Sequence, residues 1–174
     1  VSIIPRAQAG GMTMMLPETD RHLYSRKYVL AMLQVSLGGR VAEEIACGDI
    51  SSGASDDIKR ASQLAKTMVR EWGMSDQIGP VRLGSDGEAG WPPEFGAGKD
   101  YSEDTAKIVD REVGALLRHA YESVKKLLTE YKVPLDNLAA AFLKYETLDA
   151  DEVRRIIRGE TLRKPTVNEL LDNV

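Results

Sequence analysis

Two acidic pairs are the residues whose type and spacing best suit chemistry in this 174-residue chain: Asp56-Asp57 and Glu43-Glu44. Asp56 and Asp57 follow Ser55 where the pattern predicts a helix start, so both carboxylates fall in its first turn. Acids there complement the helix dipole, which is reason enough for their presence. A carboxylate on a rigid helix start is also a competent third ligand for a metal already held by two imidazoles. Glu43-Glu44 carries a similar pair of readings. Arg40 stands four residues before Glu44, which makes an ordinary exposed ion pair. Alternatively, a glutamate near the Gly38-Gly39 pair could accept the second ring N–H of a metal-bound histidine and so orient it.

The other candidates are thin. The two histidines are His22, in a turn among charged neighbours, and His119, mid-helix beside Arg118. Neither has a histidine four residues away to put two imidazoles on one helix face, so both are expected to be surface or boundary residues. The single cysteine, Cys47, ends an apolar helical stretch with no basic neighbour and is expected to be a small buried hydrophobe. One cysteine allows no intramolecular disulfide and fits a reducing compartment. Taken alone, these residues make no complete metal or catalytic site.

The elements that must position them are mostly helices. Ser25 is a good N-cap for a segment carrying Val29, Met32, Leu33, Leu37, Val41 and Ile45 on one stripe, with Gly48 ending it. Gly38-Gly39 interrupts this segment, at about 1 kcal/mol per glycine relative to alanine, and predicts a bend or a close helix contact. The Asp57 helix runs from Ser55 with Ile58, Ala61, Ala65, Met68 and Trp72 at helical spacing, and Gly73 stops it. A long amphipathic helix spans 101–132 through Val109, Val113, Leu116, Ala120, Val124, Leu127 and Tyr131. A proline-started helix, Pro134 to Tyr145, and a short one from Asp149 follow it. Strands are expected only at the edges: Val1 to Ile4, Gly11 to Leu16 as an edge strand, and a short one over 78–83. Residues 84–100, rich in glycine and proline, predict a long surface loop, and the chain after Gly159 a polar tail.

Composition is that of an ordinary globular protein, 43% hydrophobic and 29% charged. A net charge of −4 and 6% aromatic residues exclude a nucleic-acid surface. No apolar run approaches the ~20 residues that span a bilayer. The chain opens in Val1-Ser-Ile-Ile-Pro without an initiator Met, and is expected to be a piece of a longer one.

An ordered set of motifs gives these residues a context. Val1-Ser-Ile-Ile-Pro-Arg6, Gly11-Met-Thr13 to Leu16-Pro17, Gly38-Gly-Arg-Val-Ala-Glu-Glu44 and Ser52-Gly-Ala-Ser-Asp-Asp-Ile58 resemble FtsH-type AAA zinc metalloproteases. So do Met68-Val-Arg-Glu-Trp-Gly-Met-Ser75, Ile78-Gly-Pro-Val81 and Tyr145-Glu-Thr-Leu148, in the family's order and roughly its spacing. The mitochondrial i-AAA branch is at least as similar as the bacterial one. The resemblance implies a mainly α peptidase domain over 1–159, with a small N-terminal strand element, a long C-terminal helix followed by two short helices, and a tail over 160–174. It implies a hexamer, anchored in a bacterial or mitochondrial inner membrane by upstream segments, whose AAA ATPase module uses ATP to feed unfolded or membrane polypeptides to a zinc peptidase.

In that family zinc is held by two histidines of a His-Glu-x-x-His helix and by a later aspartate. That aspartate matches Asp57; Asp56 stands where the family usually has Asn. Glu44, with Glu43 as the alternative, matches the acidic pair beside the metal-binding helix. Gly11, Met12, Thr13, Met14, Met15 and Leu16 match the edge on which an extended substrate adds as a strand, although Gly10-Gly11 replaces the usual Leu-Gly. No His-Glu-x-x-His occurs in these 174 residues, nor a Gly-Lys-Thr phosphate loop. The chain by itself is therefore expected to be inactive, since a catalytic site needs about three protein ligands. It reads as the larger part of a working protease; the alternative is a degenerate relative serving as a hexamer scaffold or substrate-binding module. The retention of Asp57 with the glutamate pair favours the protease.

Overall fold

The computed structural model describes residues 1–5, 13, 23–83 and 101–165. Among them the fold is helical: α1 (Arg26–Cys47), α2 (Ser55–Arg70), α3 (Glu103–Glu130), α4 (Lys132–Tyr145) and α5 (Ala150–Ile157), with a 3-10 turn at Ser52–Ala54 before α2. The chain divides into two compact units, His22–Leu127 and a second made of Val1–Arg21 with Leu128–Val174.

In the first unit α1 starts where its cap dictates. Ser25 Oγ accepts the Tyr28 N–H, and Gly48, at φ +68°, closes the helix by donating its N–H to Glu44 O. Val29, Leu33 and Leu37 pack against Ala61, Ala65 and Met68 of α2 and Ala120 of α3. The alanines let helix backbones come close, and the larger side chains fill the space between them. Gly38-Gly39 does not break the helix: α1 runs through without interruption. Burial of Leu37 and Val41 on either side holds it in place despite the poor local propensity.

Several expected core positions lie outside the core. Met32, Ile58, Trp72, Leu127 and Tyr131 are exposed. Trp72 and Tyr131 lie past the ends of α2 and α3, and Ile58 is in the first turn of α2. Cys47 is exposed as well, contrary to expectation, because it is the last residue of α1, beyond the packed stripe. The segment 78–83 is a turn, not a strand. Pro80 has no N–H to offer a ladder, Val81 N–H bonds back to Gly79 O, and Leu83 N–H ends on Arg70 O.

In the second unit α4 carries Pro134 in its first turn, where a missing N–H costs no helical bond, so the helix begins two residues before the proline. A capping box starts α5: Asp149 Oδ1 accepts Glu152 N–H at 2.8 Å and Glu152 Oε2 accepts Asp149 N–H at 3.0 Å. The strand expected at Val1 to Ile4 amounts to one antiparallel bridge, Ser2 with Thr147, flanked by Ile3 N–H to Glu146 O and Leu148 N–H to Val1 O. Pro5 on one side and the α4 and α5 helices on the other leave no room for a longer ladder. The edge strand expected at Gly11 to Leu16 lies outside the described residues except Thr13, which is exposed, and residues 84–100 lie outside them entirely. Residues 160–165 are tied to this unit: Lys164 Nζ bonds Thr147 O at 3.2 Å and pairs with Glu152 at 2.7 Å, and Tyr145 OH donates to Leu162 O.

Candidate functional site

Asp57 occupies the third position of α2 and is half-buried. The residue capping α2 is Ala54, which has no side-chain acceptor to close a capping box. The contrast with α5 is instructive. There the acid at the same position, Glu152, is engaged with its own N-cap and with Lys164. Among the described residues the Asp57 carboxylate takes part in no hydrogen bond or ion pair. It points across to α1, where a Cβ on Gly39 would stand 4.0 Å from Asp57 Oδ2. Gly39 thus leaves the carboxylate uncovered on that side, and around Gly38 the space is open. The α1 surface running toward this point is apolar and exposed, with Met32 at 40% and Val35 at 57%.

The glutamate pair divides its work, because consecutive helix residues point about 100° apart. Glu44 faces α3: Tyr121 OH donates to Glu44 Oε2, and Lys125 Nζ lies 2.9 Å from Glu44 Oε1. The Tyr121 hydroxyl, and after it the Lys125 ammonium, hold the Glu44 carboxyl below its ordinary range. The same bonds raise Tyr121 and Lys125 above theirs. Arg40 contributes here only as a nearby positive charge, not as the ion-pair partner expected from its spacing. Glu43 faces the other way. Its Oε2 accepts the Ser51 N–H at 3.2 Å, and hydrogen bonding from Ser51 keeps its carboxyl low.

Among the described residues no three His, Cys, Asp or Glu side chains converge into a metal cage. His119 is exposed on α3, Asp56 is exposed beside Asp57, and His22 lies outside the described residues. Asp57 is an oxygen donor of the right kind for zinc, on a rigid element and free of competing partners, so the residue fits as one ligand of a site completed from elsewhere. Sequence reasoning did not find Tyr121 and Lys125. Their four-residue spacing on α3 is ordinary for a helix face, and only the packing of α1 shows what they meet.

A sequence model of peptidase family M41 matches residues 1–156. The chain is 46% identical over 170 residues to the ATP-dependent zinc metalloprotease FtsH 2 of Methylacidiphilum infernorum, covering 97% of this chain and 26% of the relative. It is 43% identical over 173 residues to the ATP-dependent zinc metalloprotease FtsH of Myxococcus xanthus, 97% of this chain and 27% of that one. The protein of the same name in Bacillus subtilis is 40% identical over 164 residues, 93% and 26% respectively. The chain spans about a quarter of the length of these curated relatives.

Proposed function

The chain belongs to peptidase family M41, and on that premise we propose that it is the peptidase segment of an ATP-dependent zinc metalloendopeptidase in which Asp57 supplies one zinc ligand. The observation that carries this reading is the unpartnered, half-buried carboxylate of Asp57 at a rigid helix start, facing the side-chain-free Gly39. Two histidines of a His-Glu-x-x-His helix, from a part of the protein outside these 174 residues, complete the site. The open, apolar α1 surface at Met32 and Val35 beside it suits such a helix. Zinc, when bound there, polarises the scissile carbonyl and lowers the pKa of a bound water. The role of this chain is to hold an oxygen ligand in place. Alone, with one ligand, it hydrolyses no peptide.

The wider assembly follows the same premise: a homo-hexamer, an AAA module in the same polypeptide that uses ATP to unfold substrates, and unfolded or membrane proteins as those substrates. Anchoring to a membrane comes from segments outside this chain; among the described residues no helix is long and apolar enough to cross one. Substrate adds as a strand along Gly11 to Leu16, through main-chain bonds that demand no particular sequence.

The test is Asp57→Ala in the full-length protein. Bound zinc and hydrolysis of a labelled unfolded protein should both be lost, while ATP hydrolysis continues. A variant that keeps stoichiometric zinc and its proteolysis refutes the assignment of Asp57.

A further inference from the structure

We propose that residues 166–174 form a short amphipathic helix that docks, within its own chain, in the groove between α4 and the segment 159–162. α4 is a 14-residue helix of largely apolar sequence, yet it has no buried residue, unlike α1, α2, α3 and α5. On it Val133, Asn137, Ala140 and Lys144 follow the spacing of a single helix face. Val133 is 70% exposed, and Ala140 is exposed too. Asn137, Ala140, Ala141, Lys144 and Tyr145 on one side and Leu162 on the other line a cavity of about 340 Å³. The small side chains of Ala140 and Ala141, in the middle of the stripe, let a second helix approach closely.

Where the chain goes next decides what fills this groove. Leu162 is in its wall. Lys164 is fixed at the end of α4, where its Nζ bonds Thr147 O, pairs with Glu152 and stands 5.0 Å from the centre of the Tyr145 ring. Residues 166–174, Thr-Val-Asn-Glu-Leu-Leu-Asp-Asn-Val, therefore start beside one end of the groove. Val167, Leu170, Leu171 and Val174 recur at i, i+3, i+4 and i+7, which is one apolar helix face; Asn168, Glu169, Asp172 and Asn173 take the opposite one. Thr166, with Glu169 three residues later, is the pair that makes a capping box at a helix start. As a helix the segment is about 13 Å long, against about 12 Å from Tyr145 back to Asn137 along α4. So short a helix is unstable alone in water and needs its apolar face covered. Antiparallel to α4, it sets Val167 beside Tyr145, Leu170 and Leu171 over Ala140 and Ala141, and Val174 toward Asn137 and Val133. Each apolar face covers the other.

The experiment uses the full-length protein and reads hydrogen exchange by mass spectrometry together with a cysteine cross-link. Amides of 168–174 should exchange at least about tenfold more slowly than those of an unstructured peptide of the same sequence. Leu170→Asp with Leu171→Asp should abolish that protection and speed exchange in α4. Ala140→Arg, which fills the groove from the other side at an exposed position, should release the segment as well. Asn173→Ser, on the opposite helix face, should leave the protection in place. In a Cys47→Ser background, Ala140→Cys with Leu171→Cys should form a disulfide within one chain, identified by peptide mass, with no new dimer on a non-reducing gel. An unprotected 168–174 in the wild type overturns the proposal, as does protection that survives both the double aspartate change and Ala140→Arg. A cross-link that joins two chains overturns it too, because the groove is then filled by a second copy.

Discussion

Replacing Ser75 by alanine tests whether the turn after α2 is held by one buried hydroxyl. Ser75 is 4% exposed, and its Oγ donates to Glu112 Oε2 of α3 at 2.7 Å while accepting the N–H groups of Gln77 and Ile78 at 3.3 Å. A hydroxyl has one proton and two lone pairs, so this one is fully used. A hydrogen bond to a charged acceptor contributes about 1.5–3 kcal/mol, and a donor left buried without a partner costs about 1–3. Gln77 is exposed and its N–H can turn to water, whereas Ile78 and Glu112 are half-buried. The loss should therefore be about 2–4 kcal/mol, and at about 2–4 °C per kcal/mol the melting point should fall by roughly 5–15 °C. Denaturant titration measures the loss, and Glu112→Ala together with the double variant completes a cycle. The coupling energy should be about 1–2 kcal/mol, since each single variant already breaks the shared bond. A loss for Ser75→Ala below about 0.5 kcal/mol, or additive single variants, refutes the reasoning, because either result means that water serves the turn as well as the hydroxyl does.

Two further outcomes follow from the same unit. Gly73 has φ +59°, and a Cβ there would stand 2.9 Å from Pro80 Cα, so Gly73→Ala should destabilise by more than about 1–2 kcal/mol in denaturant titration; wild-type stability rules out this turn geometry. The Glu44 network should shape the pH profile at both ends. The Glu44 carboxyl is held below 4.5, so its contribution is present above that pH and is lost as pH falls through the lowered value. Tyr121 and Lys125 are raised above 10.0 and 10.5, so theirs is present below those values and is lost as pH rises through the raised ones. Thermal melts across pH should show this plateau, and Glu44→Gln should flatten its acid limb; an unchanged acid limb shows that Glu44 is not the group responsible.

What the amino-acid sequence determined by itself were the features decided within a few residues. Ser25 and Gly48 bound α1, Asp149 starts α5, and helical spacing marks Val29, Leu33, Leu37, Ala61, Ala65 and Met68 as core. Caps and periodicity act over one or two turns, so they can be read from neighbours in the chain. The helical spacing after Ser55 was legible in the same way, and it placed Asp57 at a helix start. Tertiary structure decided the rest. Cys47, Ile58 and Trp72 were expected to be buried, yet all three are exposed, at or near the ends of α1 and α2. Gly38-Gly39 predicted a bend or a close helix contact; α1 runs through the pair, with Asp57 of α2 close to Gly39. The glutamate pair shows the difference most clearly. In sequence Glu43 and Glu44 are adjacent carboxylates, and the resemblance puts Glu44 ahead of Glu43 beside the metal-binding helix. In the fold, a rotation of about 100° between them turns Glu44 to Tyr121 and Lys125 and Glu43 to Ser51, ahead of α2. That assignment depends on residues up to 81 positions away in the chain, and no local pattern encodes it.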